Sequence, residues 1–173
     1  MRVGILTVSD RSFRGEREDL GGPALRRAMC EGWTAFAPEG QGEVDVTETA
    51  IVPDERDAIS AQLVEWSDHA QLDLILTTGG TGFAPRDVTP EATLDVLERL
   101  APGLAEVIRT ESLRITPHAM LSRGVAGIRK HTLIVNLPGS PRGAVESLGV
   151  IMPVLPHAIE LLRGEPSAEQ HHG

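Results

Sequence analysis

Runs of apolar residues broken by polar, glycine-containing turns organise this chain. Val3–Val8 (VGILTV) is short, apolar and β-branched, which predicts a strand buried on both faces. A polar loop leads to Gly21-Gly22, and Pro23 opens a helix carrying Ala24, Leu25, Ala28 and Met29. Residues 33–42, with Pro38, Gly40 and Gly42, read as a loop, and Val44–Val52 as a second strand stopped by Pro53. Asp54 stands at a helix N-cap position before Ile59, Leu63 and Trp66 at near-helical spacing. Leu72–Leu76 is a third strand. Helices are predicted over 90–100, capped by Thr89, and over 103–115. Val125–Ile128 and Thr132–Leu137 form a hairpin at the sheet edge, and a helical stretch to Leu162 is interrupted at Pro153 and Pro156. Strands alternating with helices define an α/β domain, a three-layer sandwich with a mostly parallel mixed sheet, over 1–164. Residues 165–173 read as a flexible tail.

Composition narrows the function. The chain has 173 residues and a formal net charge of −9, with five aromatic residues and no tyrosine. An acidic chain so poor in aromatics lacks both the basic face and the stacking platform of a nucleic-acid protein. No stretch of about 18 uninterrupted apolar residues and no basic-then-apolar leader is visible, so the expectation is a cytoplasmic protein with no membrane partner. Cys30, the single cysteine, reads as a small buried hydrophobe on a helix. The charge is uneven: residues 1–30 carry +2, 31–111 carry −13 and 112–164 carry +4. Most of the central acids are solvated helix faces. One or two of them are candidates for holding a cation.

In an open parallel sheet, ligands collect beyond the carboxyl ends of the strands. Three predicted strands end there in polar or glycine-rich turns: Ser9-Asp10-Arg11, Thr77–Gly82 (TTGGTG) and Pro138-Gly139-Ser140. Glycines let backbone amides approach an anion, and Thr78 and Thr81 could add hydroxyl donors. The turn matches neither a dinucleotide fingerprint nor a P-loop. On glycine content alone, a ligand-free tight turn and an anion cradle are equal readings. The sequel Arg86-Asp87-Val88-Thr89-Pro90-Glu91 favours the cradle, because Mg²⁺ takes one or two protein carboxylates together with substrate phosphates. Asp87 is the first carboxylate. Asp54 is the natural second, with a plain N-cap as its competing role.

Ile5–Arg11 (ILTVSDR), VPDE at Val52–Glu55, LTTGGTG with RDVTPEAT, SLRITPHAMLSR at Ser112–Arg123 and LIVNLPGSP at Leu133–Pro141 together resemble the MogA/MoaB family of molybdenum-cofactor biosynthesis. The resemblance runs in order from about Val3 to Gly164. It implies Mg²⁺-dependent transfer of AMP from ATP to the terminal phosphate of molybdopterin, with a non-enzymatic molybdopterin carrier of the same fold as the alternative. It carries over Asp54 and Asp87 as essential carboxylates, at least one of them on the metal, and Gly79, Gly80, Thr81 and Gly82 as phosphate-binding. Ser112, Ser122 and Arg123 would lie near the pterin or its phosphate, and Pro138, Gly139 and Ser140 on the adenosine side. It further implies a homotrimer and a molybdate-inserting enzyme downstream.

Overall fold

The computed structural model describes residues 1–36 and 43–164; of the loop predicted over 33–42, Trp33 is instead the last residue of a helix and 37–42 lie outside the described residues, as does the tail at 165–173. The elements in chain order are β1 (Arg2–Val8), α1 (Asp10–Phe13), α2 (Gly21–Trp33), β2 (Asp45–Val52), α3 (Arg56–Val64), β3 (Leu74–Thr78), α4 (Thr89–Leu94), β4 (Arg99–Leu100), α5 (Pro102–Leu113), β5 (Ala126–Arg129), β6 (Thr132–Leu137), α6 (Pro141–Ile151) and α7 (Leu155–Arg163). A single-turn π-helix (Glu65–His69) extends α3, and 3₁₀ turns cover Pro117–Leu121 and Met152–Val154.

Six strands form one mixed sheet in the order β2-β1-β3-β6-β5-β4. The first four run parallel, and β5 and β4 are antiparallel to their neighbours. In β3 and β6 every residue is buried, as continuous apolar runs between two helical layers require. One core lies on the side of α2, α6 and α7, built on Leu25, Met29, Leu148 and Leu155. The other lies under α3 and α4, around Leu6, Ile59, Leu63 and Trp66. The α/β sandwich predicted from the pattern is the observed architecture.

Four local readings are corrected. The helix expected over 90–100 ends at Leu94, and Arg99–Leu100 pairs with β5 instead, so the hairpin β5–β6 is internal and β4 forms the edge. Hydrogen bonds from the Glu98 amide to Ile128 O and from the Ala101 amide to Ala126 O carry that pairing. Thr89 is the first helical residue rather than the cap, because Val88 occupies the N-cap position. Asp54 does not cap α3 either; Glu55 holds that position. Cys30 is exposed, since α2 turns Leu25, Met29 and Trp33 inward and Cys30 away.

The stretch Pro141–Arg163 also qualifies the exclusion of membrane spans. Its 23 residues include an 18-residue stretch of mean hydropathy 1.4, long and apolar enough to cross a bilayer. Its apolar positions Ala144, Leu148, Ile151, Leu155 and Ile159 are instead buried in the core, and the breaks at Pro153 and Pro156 fall where the pattern placed them.

Candidate active site

The parallel strands β2, β1, β3 and β6 are neighbours, so their carboxyl ends deliver Pro53-Asp54, Ser9-Asp10, Gly79-Gly80 and Pro138-Gly139 to one rim of the sheet. There they line a cavity of about 410 Å³ bounded by Ser9, Ser12, Arg17, Asp19, Asp54, Thr78, Gly79, Gly80, Asp87, Gly139 and Ser140, among others. A second cavity of about 260 Å³ lies beyond the turn, with Thr81, Gly82, Ser112, Thr116, Ser122, Pro138 and Ser140 in its wall. Ser140 belongs to both. The predicted residues other than Arg123 therefore divide between two adjoining cavities.

The glycine turn is shaped by its neighbours. Gly79 and Gly80 have φ of +105° and +64°, and a Cβ on Gly79 would run into Val8 O. Such backbone is open to glycine and strained for residues with a side chain. Thr78 Oγ1 donates to Pro138 O at 2.7 Å, and a Cβ on Gly139 would lie 3.1 Å from Gly79 Cα, which locks the β3 and β6 turns together. The segment from Gly80 to Asp87 returns to its starting point, where the Thr89 amide donates to Gly80 O at 3.1 Å.

The two carboxylates sit in different electrostatic settings. The Asp10 amide donates to Asp54 Oδ2 at 2.7 Å and the Asp54 amide donates back to Asp10 Oδ1 at 3.0 Å, a reciprocal clasp between the ends of β1 and β2. Arg86 donates to both Asp10 oxygens at 2.8 and 2.9 Å and holds that carboxyl below its ordinary range. Asp54 goes the other way. Burial pushes its carboxyl upward, and the charges of Asp10 and Asp87 add to the rise against the Asp10 amide and Arg86. Asp87 Oδ2 accepts from the Ala84 amide at 2.9 Å.

Among the described residues, Oδ1 of Asp54 and Oδ1 of Asp87 have no protein hydrogen-bond donor. Two carboxylates at one cavity, each with an oxygen to spare and one destabilised by its neighbours' charge, fit a divalent cation. Among the described residues no group of three or more His, Cys, Asp or Glu side chains is placed to hold a metal ion, so a cation at this pair would take its remaining ligands from phosphates and water.

Arg123 lies outside both cavity walls. Its guanidinium donates to Gly82 O at 2.7 Å, to Glu91 and to Asp87 O, while its amide donates to Thr81 O at 2.9 Å. It stitches the turn to the Asp87 segment. Several residues of the first cavity had no role assigned from sequence, among them Thr7 inside the ILTVSDR run and Ser12, Arg17 and Asp19 beyond it. Only Asp19 had a local signal, standing just before Gly21-Gly22-Pro23, and its carboxylate accepts from the amides of Gly21 and Gly22 at 3.0 and 3.1 Å and from Thr7 Oγ1 at 2.8 Å. Arg17 is the one cation in the described wall of this cavity, and its loop position gave nothing to read.

This crevice, at the carboxyl ends of a doubly covered parallel sheet, defines a ligand-binding α/β domain of the MogA/MoaB type. Residues 4–157 match the family described as "Probable molybdopterin binding domain", and the chain belongs to that family of molybdenum-cofactor biosynthesis proteins. The molybdopterin adenylyltransferase of Helicobacter pylori (strain J99) is 42% identical over 164 residues, covering 95% of this chain and 89% of that protein. The gephyrin of Dictyostelium discoideum is 45% identical over 166 residues; 96% of this chain is covered, but the chain spans only 23% of gephyrin's length. Among solved structures, the molybdopterin biosynthesis enzyme MoaB of Thermus thermophilus superposes with a TM-score of 0.83 at 55% identity, covering 95% of this chain and 98% of that one.

Proposed function

We propose that this chain is a nucleotidyltransferase, a molybdopterin adenylyltransferase that moves AMP from ATP to the terminal phosphate of molybdopterin. The observation that carries the reading is the pair of adjoining cavities with Ser140 in common, one lined by Asp54, Asp87 and the Gly79-Gly80 turn, the other by Ser112, Ser122 and Thr116. Similarity to the full-length H. pylori enzyme supports the reaction class. ATP occupies the larger cavity, with its phosphates against Gly79, Gly80 and Arg17, while Thr81 and Gly82 face the smaller one. Molybdopterin occupies the smaller one and directs its phosphate across Ser140.

An oxygen of that phosphate attacks the α-phosphorus of ATP, the new P–O bond forms, the bond to the β-phosphate breaks, and pyrophosphate leaves. Such a transfer needs alignment and charge neutralisation more than covalent help from the protein. Asp54 and Asp87 would hold Mg²⁺, which supplies positive charge to the phosphate oxygens when bound. The reciprocal Asp10–Asp54 clasp keeps one of these carboxylates in place, and the glycine turn offers amides to the phosphates. On this reading the chain acts as a homotrimer and passes its product to a molybdate-inserting enzyme.

The test is incubation with ATP, Mg²⁺ and molybdopterin, with detection of pyrophosphate and adenylylated product. Asp87→Ala is expected to keep molybdopterin binding and lose turnover. An Asp87→Ala protein as active as wild type refutes the metal-holding role, and molybdopterin binding without any pyrophosphate marks a carrier instead.

A further inference from the structure

Behind the glycine turn lies a set of buried polar side chains that reach neither cavity. Thr77, Thr89 and Thr93 are fully buried and Asn136 nearly so. Asn136 Oδ1 accepts from the Val125 amide at 3.2 Å. A backbone amide can only donate, so the side-chain NH₂ of Asn136 is fixed on the opposite side. There it donates to Thr77 Oγ1 at 3.0 Å and Thr93 Oγ1 at 2.9 Å. The Thr93 hydroxyl, its lone pairs engaged by Asn136, donates to Thr89 O at 2.8 Å. The Thr89 hydroxyl donates to Gly79 O at 2.9 Å, and the Thr89 amide to Gly80 O. Every donor in this chain has one direction available to it.

The chain ends on the two left-handed glycines and begins at the first residue of α4, two positions after Asp87. It therefore pins both ends of the segment 79–89, whose near end presents the turn and whose far end presents the carboxylate. A buried threonine hydroxyl aimed at a turn carbonyl has an ordinary structural use, but here it closes the loop that carries Asp87.

We propose that Thr89, held by Thr93 and Asn136, is a positioning residue for the transfer: its hydroxyl sets the spacing between the Gly79-Gly80 amides and Asp87. The proposal rests on the adenylyltransferase reading and adds to it a residue that touches no substrate. Thr89→Val keeps the volume and β-branching and removes the donor; Thr89→Ser keeps the donor.

The test compares wild type, Thr89→Val and Thr89→Ser at a temperature where all are folded by circular dichroism. Turnover is measured together with amide hydrogen exchange over 78–89. Loss of the hydroxyl is expected to lower kcat about ten- to hundredfold, as for a small misplacement of reacting groups, with KM for ATP changed far less. Exchange is expected to rise in the turn and the Asp87 segment and to stay unchanged in β1 and β6. Thr89→Ser is expected to recover most of both. Wild-type turnover in Thr89→Val overturns the proposal however far its melting temperature falls, and so does a Thr89→Ser protein as impaired as Thr89→Val. A wild-type chain that makes no product fails the adenylyltransferase reading, and exchange then decides the positioning role alone: unchanged exchange at 79–89 in Thr89→Val overturns it. Should Thr89→Val not fold, Thr93→Val, which removes the hydroxyl that links Asn136 to Thr89, is read against the same two measurements.

Discussion

Replacing Gly80 by alanine tests how tightly the turn is built. The backbone there has φ of +64°, and the new Cβ would fall within contact of Thr89 Oγ1 and 3.2 Å from Asp54 Oδ1. Forcing an L-residue into left-handed backbone costs roughly 1–2 kcal/mol. Displacing the Thr89 hydroxyl leaves Gly79 O buried without its donor, a further loss of about 1–3 kcal/mol. The expected destabilisation is therefore about 2–5 kcal/mol, which in a domain of this size lowers the melting midpoint by roughly 4–20 °C. Gly15→Ala is the matched control, because Gly15 has φ of +72° with nothing within 4 Å of its Cβ. It incurs the backbone strain alone, and the entropy that alanine removes from the unfolded chain is common to both variants and cancels. Urea melts of the two proteins, fitted with a shared m-value, give the difference directly. Thr89→Ala in the Gly80→Ala background removes the obstructing hydroxyl, so the pair should be less than additive. A Gly80→Ala protein as stable as Gly15→Ala would show that the turn yields freely and that Thr89 does not hold it.

Two further predictions concern carboxylates. Burial and neighbouring charge raise the Asp54 carboxyl in the folded protein, so the native state binds that proton more tightly than the unfolded chain and loses stability as pH rises through the raised range. Asp54→Asn, whose amide oxygen still accepts from the Asp10 amide, is expected to melt at or above the wild-type temperature near neutral pH while losing product formation, the gain shrinking as pH falls; a lower neutral-pH midpoint contradicts this. Asp68 has the opposite sign: Arg129, at 2.6 Å, together with Lys130 lowers its carboxyl from 3.8 to about 2, so its contribution is present above the ordinary range and lost as pH falls through about 2. Thermal melts of Asp68→Asn should lie below wild type at neutral pH and converge with it in acid, and parallel profiles would remove Asp68 from the account.

Much of the architecture was written in the periodicity. The continuous apolar run Val3–Val8 had one stable use, as a strand covered on both faces, and three of the four parallel strand ends could be named from the turns that follow them, whereas Thr132–Leu137 read as an edge strand and lies inside the sheet. The errors fell where local pattern and tertiary pairing compete. Residues 95–100 have no helix stop in sequence, yet the bare edge of β5 offers Glu98 and Ala101 backbone partners that a continued helix would forgo. Asp54 and Thr89 are good capping residues by type, but each faces a stronger demand: the Asp10 amide for one, Gly79 O for the other. Thr7, Ser12 and Arg17 enter the cavity from a strand, a short helix and a loop, and they meet there only once β1 and β3 lie side by side. Arg123 reads as a ligand contact because it ends a recognisable motif. Its guanidinium is committed to Gly82, Asp87 and Glu91.

A chain of net charge −9 is an unpromising host for two phosphate-bearing ligands until the acids are sorted by partner. Asp10 is neutralised by Arg86, Asp95 by Arg56, Asp68 by Arg129 and Lys130, and Asp73 by Arg163. Among the described residues, eight of the fifteen arginines thus pair with carboxylates, each exposed pair contributing little to stability. At the cavity the balance reverses. Asp54 and Asp87 have no ion pair among the described residues, and the rise in Asp54, set first by burial and then by the charges of Asp10 and Asp87, records the cost of a carboxylate charge at that position. A divalent cation arriving with ATP would relieve that cost and reverse the local sign, so that the same acids which repel a bare triphosphate would admit a metal-bound one. Binding of ATP to this site is accordingly expected to depend on Mg²⁺ in the wild-type protein and to lose much of that dependence when Asp54 and Asp87 are both made asparagine, an outcome that calorimetric titration with and without the cation reads directly.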